Sequence, residues 1–132
     1  MSEAPPRLAF APGSHSITAH GQGAFAFAGM RHAGSILATP KGVRAIDATS
    51  VDDLASVALP PLIAECAENP ASIEFLIIGT GARMAPVPKA LRAALVEAGL
   101  RFEAMATGPA LRVYNVMQSE GRRVAAALIA AP

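Results

Sequence analysis

The sequence has a single cysteine, Cys66, one tyrosine, Tyr114, and no tryptophan. One thiol excludes an internal disulfide and a metal site of several thiolates. It suits a reducing compartment, so a cytoplasmic location is expected. Charge of one sign is lacking too: 11 basic residues stand against 10 acidic ones, a formal net charge of +1. That balance gives no whole-chain field to draw the protein onto nucleic acid or an anionic membrane, and it confines any anion site to a local cluster. Long apolar runs are also missing. FLIIG and VAAALIAAP fall well short of the roughly 20 residues that span a bilayer. Pro12 and Gly13 break the N-terminal LAFA run before it attains the length of a signal-peptide core. A soluble chain without secretion signal or transmembrane segment is expected.

What is present fits one domain. A chain of 132 residues can bury a continuous core unaided. Its hydrophobic fraction is 52% but its aromatic fraction only 5%, so that core is built from small and aliphatic side chains.

Residues 1–16 are rich in Pro, Gly and Ser without sustained periodicity, and read as a loosely held arm preceding a domain over 17–132. GAFAFAGM places Phe25 and Phe27 on one side of an extended segment, and HAGSILATP offers a strand around Ile36 and Leu37. After the TPKG turn, Val43 to Ile46 supply another strand of an antiparallel meander. Ser50 and Asp53 have capping-box spacing for a short helix. Pro61 suits the first turn of a second helix, LIAECAE, which carries Cys66. From residue 72 the pattern becomes strand (SIEFLIIG), helix (PKALRAALVEAG), strand (LRFEAMA), helix (TGPALRVYNVMQSEG, with Thr107 as N-cap) and strand (RRVAAALIA). This order predicts an α/β sheet covered by helices and preceded by an antiparallel β extension. The first two strands of the unit run parallel; the direction of the last is left open.

The stretch most like a ligand loop is Gly79-Thr80-Gly81, at the exit of the apolar strand. A dinucleotide fingerprint needs a third glycine, and Met84 holds that position; the phosphate-loop pattern needs a glycine and lysine where Met84 and Ala85 stand. Pro86 and Pro88 also keep the next helix several residues away, so its amides cannot face the glycines. Arg83, Lys89 and Arg92 cluster at the strand exit, where a helix N-terminus disfavours cations. An anion or acidic-partner site is one reading and solvated surface charge the other, which the neutral balance favours. Asn115 is a mediocre helix former in mid-helix, and a role in holding a nearby loop such as the GTG turn would account for it; a solvent-facing amide is the alternative. His15, His20 and His32 lack metal-site spacing, no nucleophile elbow is present, and Cys66 reads as a small hydrophobe. Neither a catalytic set nor a cofactor motif emerges.

Three separated clusters, taken in order, are more specific than any one of them: Gly79-Thr80-Gly81; then Thr107, Ala110, Tyr114 and Asn115; then Glu120, Arg122, Arg123 and Val124. In this pattern the chain resembles the small-domain family that includes mitochondrial complex I assembly factor 3, the adipogenesis-associated domain protein and many uncharacterised bacterial proteins. The resemblance implies a three-layer α/β fold with a mixed central sheet. It also implies a protein-interaction or assembly-factor role with an unidentified protein partner. It further suggests a polar cleft in which Gly79, Thr80, Gly81 and Arg83 meet Thr107, Asn115 and Arg122 or Arg123. In the alternative reading, that cleft binds a small molecule or anion or carries an enzyme activity.

Overall fold

The computed structural model describes residues 10–69 and 71–131. A six-stranded mixed sheet consists, from one edge to the other, of β1 (Phe10–Pro12), β6 (Gly42–Ala45), β5 (Ile36–Thr39), β9 (Val124–Leu128), β7 (Phe75–Gly79) and β8 (Phe102–Met105). A second, three-stranded antiparallel sheet contains β2 (Ile17–Gly21), β3 (Ala24–Phe27) and β4 (Met30–Ala33). β7 runs parallel to both β8 and β9, while β5 joins β9 antiparallel. The last strand, whose direction sequence left open, is therefore the seam between the parallel and antiparallel halves.

The helices are α1 (Leu54–Val57), α2 (Leu59–Glu68), α3 (Lys89–Glu97) and α4 (Thr107–Ser119). Ser50 and Asp53 form the expected capping box: the Ser50 hydroxyl accepts from Asp52 N, and the Asp53 carboxylate accepts from Ser50 N, each at 3.3 Å. These bonds start a 3-10 turn, Val51–Asp53, that continues into α1. Pro60 and Pro61 occupy the first turn of α2, where an absent N–H removes no helical bond.

Each face of the large sheet buries its own apolar cluster. Leu37, Leu76, Ile78 and Ala127 pack with Leu54, Leu62, Leu91 and Leu95 of the first three helices. On the other face, Ile36, Ile77, Ala126 and Leu128 meet Ala110 and Tyr114 of α4 and Ile17, Phe25 and Phe27 of the small sheet. The result is three layers. All of β9 is buried, and its Ala125-Ala126-Ala127 run keeps both faces of the central strand low enough for close packing.

The expected meander divides between the two sheets. Gln22 (φ 52°) with Gly23 (φ 73°), and Ala28 (φ 51°) with Gly29 (φ 74°), make two-residue turns of positive φ on either side of β3. Such turns match strand twist and close tight hairpins, so Phe25 and Phe27 join β2 and β4 rather than β5. The arm expected over 1–16 also gains structure at its end: Phe10–Pro12 pairs with β6, and Gln118 bonds Ser14 and Ser16. Residues 1–9 lie outside the described residues.

Tyr114 anchors that end from below. Its ring is buried and its hydroxyl donates to His15 O at 2.9 Å. Burial pushes the phenol from 10.0 up to about 12. Folding therefore favours the protonated phenol: its contribution is complete below pH 10 and is lost as pH rises to about 12. Loss of about 2–3 kcal/mol over this window is expected from the size of the shift. Because Tyr114 is the single tyrosine, phenolate absorbance reads it directly. Tyr114→Phe should be less stable by about 1 kcal/mol at neutral pH and should lose less stability than the parent in the alkaline window, as checked by chemical denaturation across pH.

Candidate functional site

The parallel strands β7, β8 and β9 all finish at the same end of the large sheet, and Gly79-Thr80-Gly81 lies among those strand exits. Thr80 N donates to Met105 O at 2.9 Å, and Ile129 N donates to Gly79 O at 2.9 Å, so the turn is wedged between the exits of β8 and β9. Thr107 completes the junction. Its N–H donates to Gly81 O at 2.8 Å. Its hydroxyl accepts from Gly81 N at 2.9 Å and donates to Ile129 O at 2.7 Å.

Each residue of the turn has its own physical reason. A β-carbon at position 79 would stand 2.9 Å from Leu128 Cδ2, 2.9 Å from Thr107 Oγ1 and 3.1 Å from the Thr107 Cα, so Gly79 admits the start of α4. Gly81 has φ 111°, which side chains other than hydrogen rarely tolerate. The Thr80 hydroxyl donates to Arg83 O at 2.7 Å and accepts from Ala85 N at 3.0 Å, folding the following loop back onto the turn. Thr107 differs from its expected role as N-cap: Ala106 holds that position, and Thr107 is the first helical residue. Its hydroxyl is engaged by Gly81 and Ile129 instead of the helix.

The amides of Thr80 and Gly81 and the Thr80 hydroxyl are thus committed to partners within the fold. Gly81 N, which a phosphate would require, already donates to Thr107. The next helix, α3, begins only at Lys89. At the start of α4, Thr107 N serves Gly81, Pro109 has no N–H, and a β-carbon on Gly108 would stand 3.4 Å from His20 Nε2.

The single cleft implied by the resemblance separates into three clusters. Gly79, Thr80, Gly81 and Thr107 come together as described. Arg83 follows them, exposed on the loop beside Met84, which is 59% exposed. Asn115 lies eight residues along α4, about 12 Å from its start, and holds β2 rather than the GTG turn: Nδ2 donates to Ile17 O at 2.7 Å, and Oδ1 accepts from Ile17 N at 2.8 Å. Arg122 and Arg123 lie at the opposite end of the sheet, since β7 and β9 run parallel with Phe75 beside Val124 and Gly79 beside Leu128. Five residues of strand put that end about 17 Å from the turn. There Arg122 pairs with Glu74 at 3.3 Å, and Arg123 N donates to Glu74 at 3.0 Å. The Arg123 amide, then Arg122, hold the Glu74 carboxyl below its usual range. Arg123 Nε also donates to Ala71 O.

Outside these clusters, Cys66 lines an apolar groove of about 420 Å³ between α2 and α3, together with Ile63, Ile73, Ala94, Glu97 and Leu100. Burial, and then the neighbouring Glu65 charge, push its thiol up, which disfavours the thiolate a nucleophile needs. Among the described residues, no three His, Cys, Asp or Glu side chains gather as a metal site, and no helix is long and apolar enough to cross a membrane. His15 Nε2 is 2.8 Å from Pro12 O, which fixes it to the local backbone.

Residues 17–129 match the family of proteins of unknown function DUF498/DUF598. This chain belongs to that family. An uncharacterised protein of Rhodobacter capsulatus is 40% identical over 120 residues, 91% of this chain and 88% of the relative. Solved structures share the fold. One from Bartonella henselae, described as an outer membrane protein, is 38% identical with a TM-score of 0.80, covering 92% of this chain and 98% of its own. The Rpa2829 protein of Rhodopseudomonas palustris is 42% identical with a TM-score of 0.75, covering 99% and 91%. A Bordetella pertussis protein described as an Mth938-like domain is 28% identical with a TM-score of 0.69, covering 87% and 85%.

In this chain the Thr80, Thr107 and Asn115 side chains all bond backbone, while Arg122 pairs with the Glu74 carboxylate. Sequence reasoning missed Ser35. It is buried; its hydroxyl donates to Ala48 O at 2.7 Å and accepts from Ala130 N at 2.9 Å, pinning the segment after β9 to the start of β5. Only its place beside Gly34 at a strand entry hinted at such a role.

Thr107→Val keeps the shape of the side chain but leaves Gly81 N and Ile129 O without their buried partner. A loss of about 2–6 kcal/mol is expected, from two unsatisfied groups at about 1–3 kcal/mol each. Thr107→Ser should retain most of the stability. Denaturant unfolding of the three proteins checks both expectations.

Proposed function

We propose that the protein is a non-enzymatic interaction module of the assembly-factor kind, acting in the cytoplasm, and that the loop after the GTG turn carries its contact surface. The observation that supports this reading is how the turn's hydroxyls are used. Thr80 and Thr107 bond backbone and hold the loop, while Arg83 and Met84 project into solvent. An anchored loop with an exposed thioether beside a guanidinium is preorganised for a protein surface, because little conformational entropy is lost on docking. Methionine adapts to irregular apolar pockets, and arginine adds directional bonds to carboxylates. The resemblance to complex I assembly factors points to subunits of a respiratory complex as the partner class.

A ligand-binding or catalytic cleft draws less support. Asn115 uses both ends of its amide on Ile17, and Arg122 and Arg123 face Glu74 and Ala71 instead of the turn.

Affinity capture of the tagged chain from its native host, at native expression, tests the proposal. Reproducible co-purification of the same protein is expected, reduced about tenfold or more by the double change Arg83→Glu with Met84→Asp, a loss typical of removing an interface anchor. Both residues are exposed, so the variant's thermal transition should match the parent's. No retained partner, or a partner indifferent to the double variant, overturns the reading.

A further inference from the structure

The large sheet has two edges, and they are built differently. β1 is three residues long and contains Pro12, both of which blunt an edge against further pairing. Among the described residues β8 pairs only with β7, in continuous register and without proline or bulge. In the small sheet, the end of β2 is occupied by Asn115, which takes both backbone groups of Ile17. β4 carries Arg31 with no acidic neighbour in the strand.

The hydrogen bonds of β8 define what its free side offers. Arg101 O accepts from Leu76 N, and Met105 O accepts from Thr80 N, each at 2.9 Å. Alternation along a strand then directs the N–H and C=O of Phe102 and Ala104 away from β7. The side chains alternate too. Phe102 and Ala104 lie on the α3 face, packed against its apolar cluster, which places Arg101 and Glu103 on the α4 face.

We infer that β8 is a self-association edge, at which two copies of this chain pair antiparallel about a two-fold axis passing beside Phe102. The charge pattern selects both the occupant and the register. Rotation about that axis sets Arg101 opposite Glu103 of the second copy, and Glu103 opposite Arg101 of the second copy. These are non-hydrogen-bonded pairs, in which side chains approach most closely. Moving the axis to Glu103 would set two carboxylates against each other. Phe102 exchanges N–H···O bonds with its counterpart, and Ala104 N–H donates to Leu100 O of the second copy. Leu100 N is already engaged by Leu95 O at 3.0 Å, and Gly99, with φ 74°, ends the extended run. Pairing thus covers residues 100–104 of each copy.

The surface beside the edge fits this occupant. A groove of about 580 Å³ borders it, lined by Phe75, Arg92, Val96, Leu100, Arg101 and Phe102. Arg92 lies over the Phe102 ring at 5.4 Å, and Val96 is 67% exposed. The two-fold brings both Phe102 rings and both Val96 side chains together on the α3 face, burying apolar surface that the single chain leaves wet. This surface is separate from the loop carrying Arg83 and Met84, and either inference stands if the other fails.

Sedimentation velocity of the full chain, from micromolar to millimolar concentration, tests the inference, with Arg101→Glu, Glu103→Arg and the double variant compared after circular dichroism confirms native folding. A concentration-dependent dimer is expected. Each single change should weaken it about tenfold or more, because each places like charges opposite one another twice. The double change restores both pairs with their signs reversed and should return association to near the parent value. A chain monomeric throughout the range overturns the inference. So does a dimer that ignores the single changes, or one that the double change does not restore.

Discussion

The Thr107 hydroxyl sits where three parts of the fold must agree. It accepts from Gly81 N beyond the end of β7 and donates to Ile129 O beyond the end of β9, while its own backbone begins α4. Thr107 is wholly buried, so neither of those backbone groups has a ready aqueous substitute, and leaving one unpaired costs about 1–3 kcal/mol. This bond fixes the height of α4 on the sheet. That height places Tyr114 under His15 and Asn115 against Ile17. The small sheet is in turn held to α4 by Asn115 and by the Phe25 and Phe27 rings. A contact at the strand ends of the large sheet thereby positions a separate sheet on its face.

Two features of composition make this arrangement possible. Alanines fill the middle of β9, so both helical layers can approach the central strand, and Gly79 removes the one β-carbon that would obstruct Thr107. The same economy of side chains concentrates directional bonding in few residues. Ser35, Thr80, Thr107 and Asn115 each use a side chain to satisfy backbone that strands and helices leave open. Polar residues of this kind add specificity of packing, while the aliphatic clusters supply most of the driving force for burial.

Much of the architecture was legible along the chain. The run from SIEFLIIG to RRVAAALIA carries strong periodicity, with Pro88 and Gly99 at the ends of α3, and the strand-helix alternation follows from that pattern. The mixed sheet followed from the family resemblance rather than from spacing. Sequence could not assign Phe25 and Phe27 to a second sheet, because that depends on positive φ at Gln22 and Ala28, residues with no strong preference for it. The direction of β9 was open for a different reason: its two neighbours run opposite ways, so no local feature decides it. At the site, the order of motifs along the chain carried no information about strand ends. Arg122 and Arg123 precede β9 and Ile129 follows it, which puts the arginines and the GTG turn at opposite ends of the strands. For Asn115, helical spacing leaves a holding role and a solvent-facing amide both open, and it does not reveal that Ile17 lies across from it.

The GTG turn is a clasp closed by Thr107 rather than a ligand loop awaiting its anion. Native-state hydrogen exchange at the Gly81 amide tests it most directly, because that single N–H is either held by Thr107 or available to solvent and ligand. Protection close to that of the central strands β7 and β9 is expected, with exchange requiring opening of the strand ends and α4 together. Exchange of Gly81 at the rate of an open surface loop would contradict it.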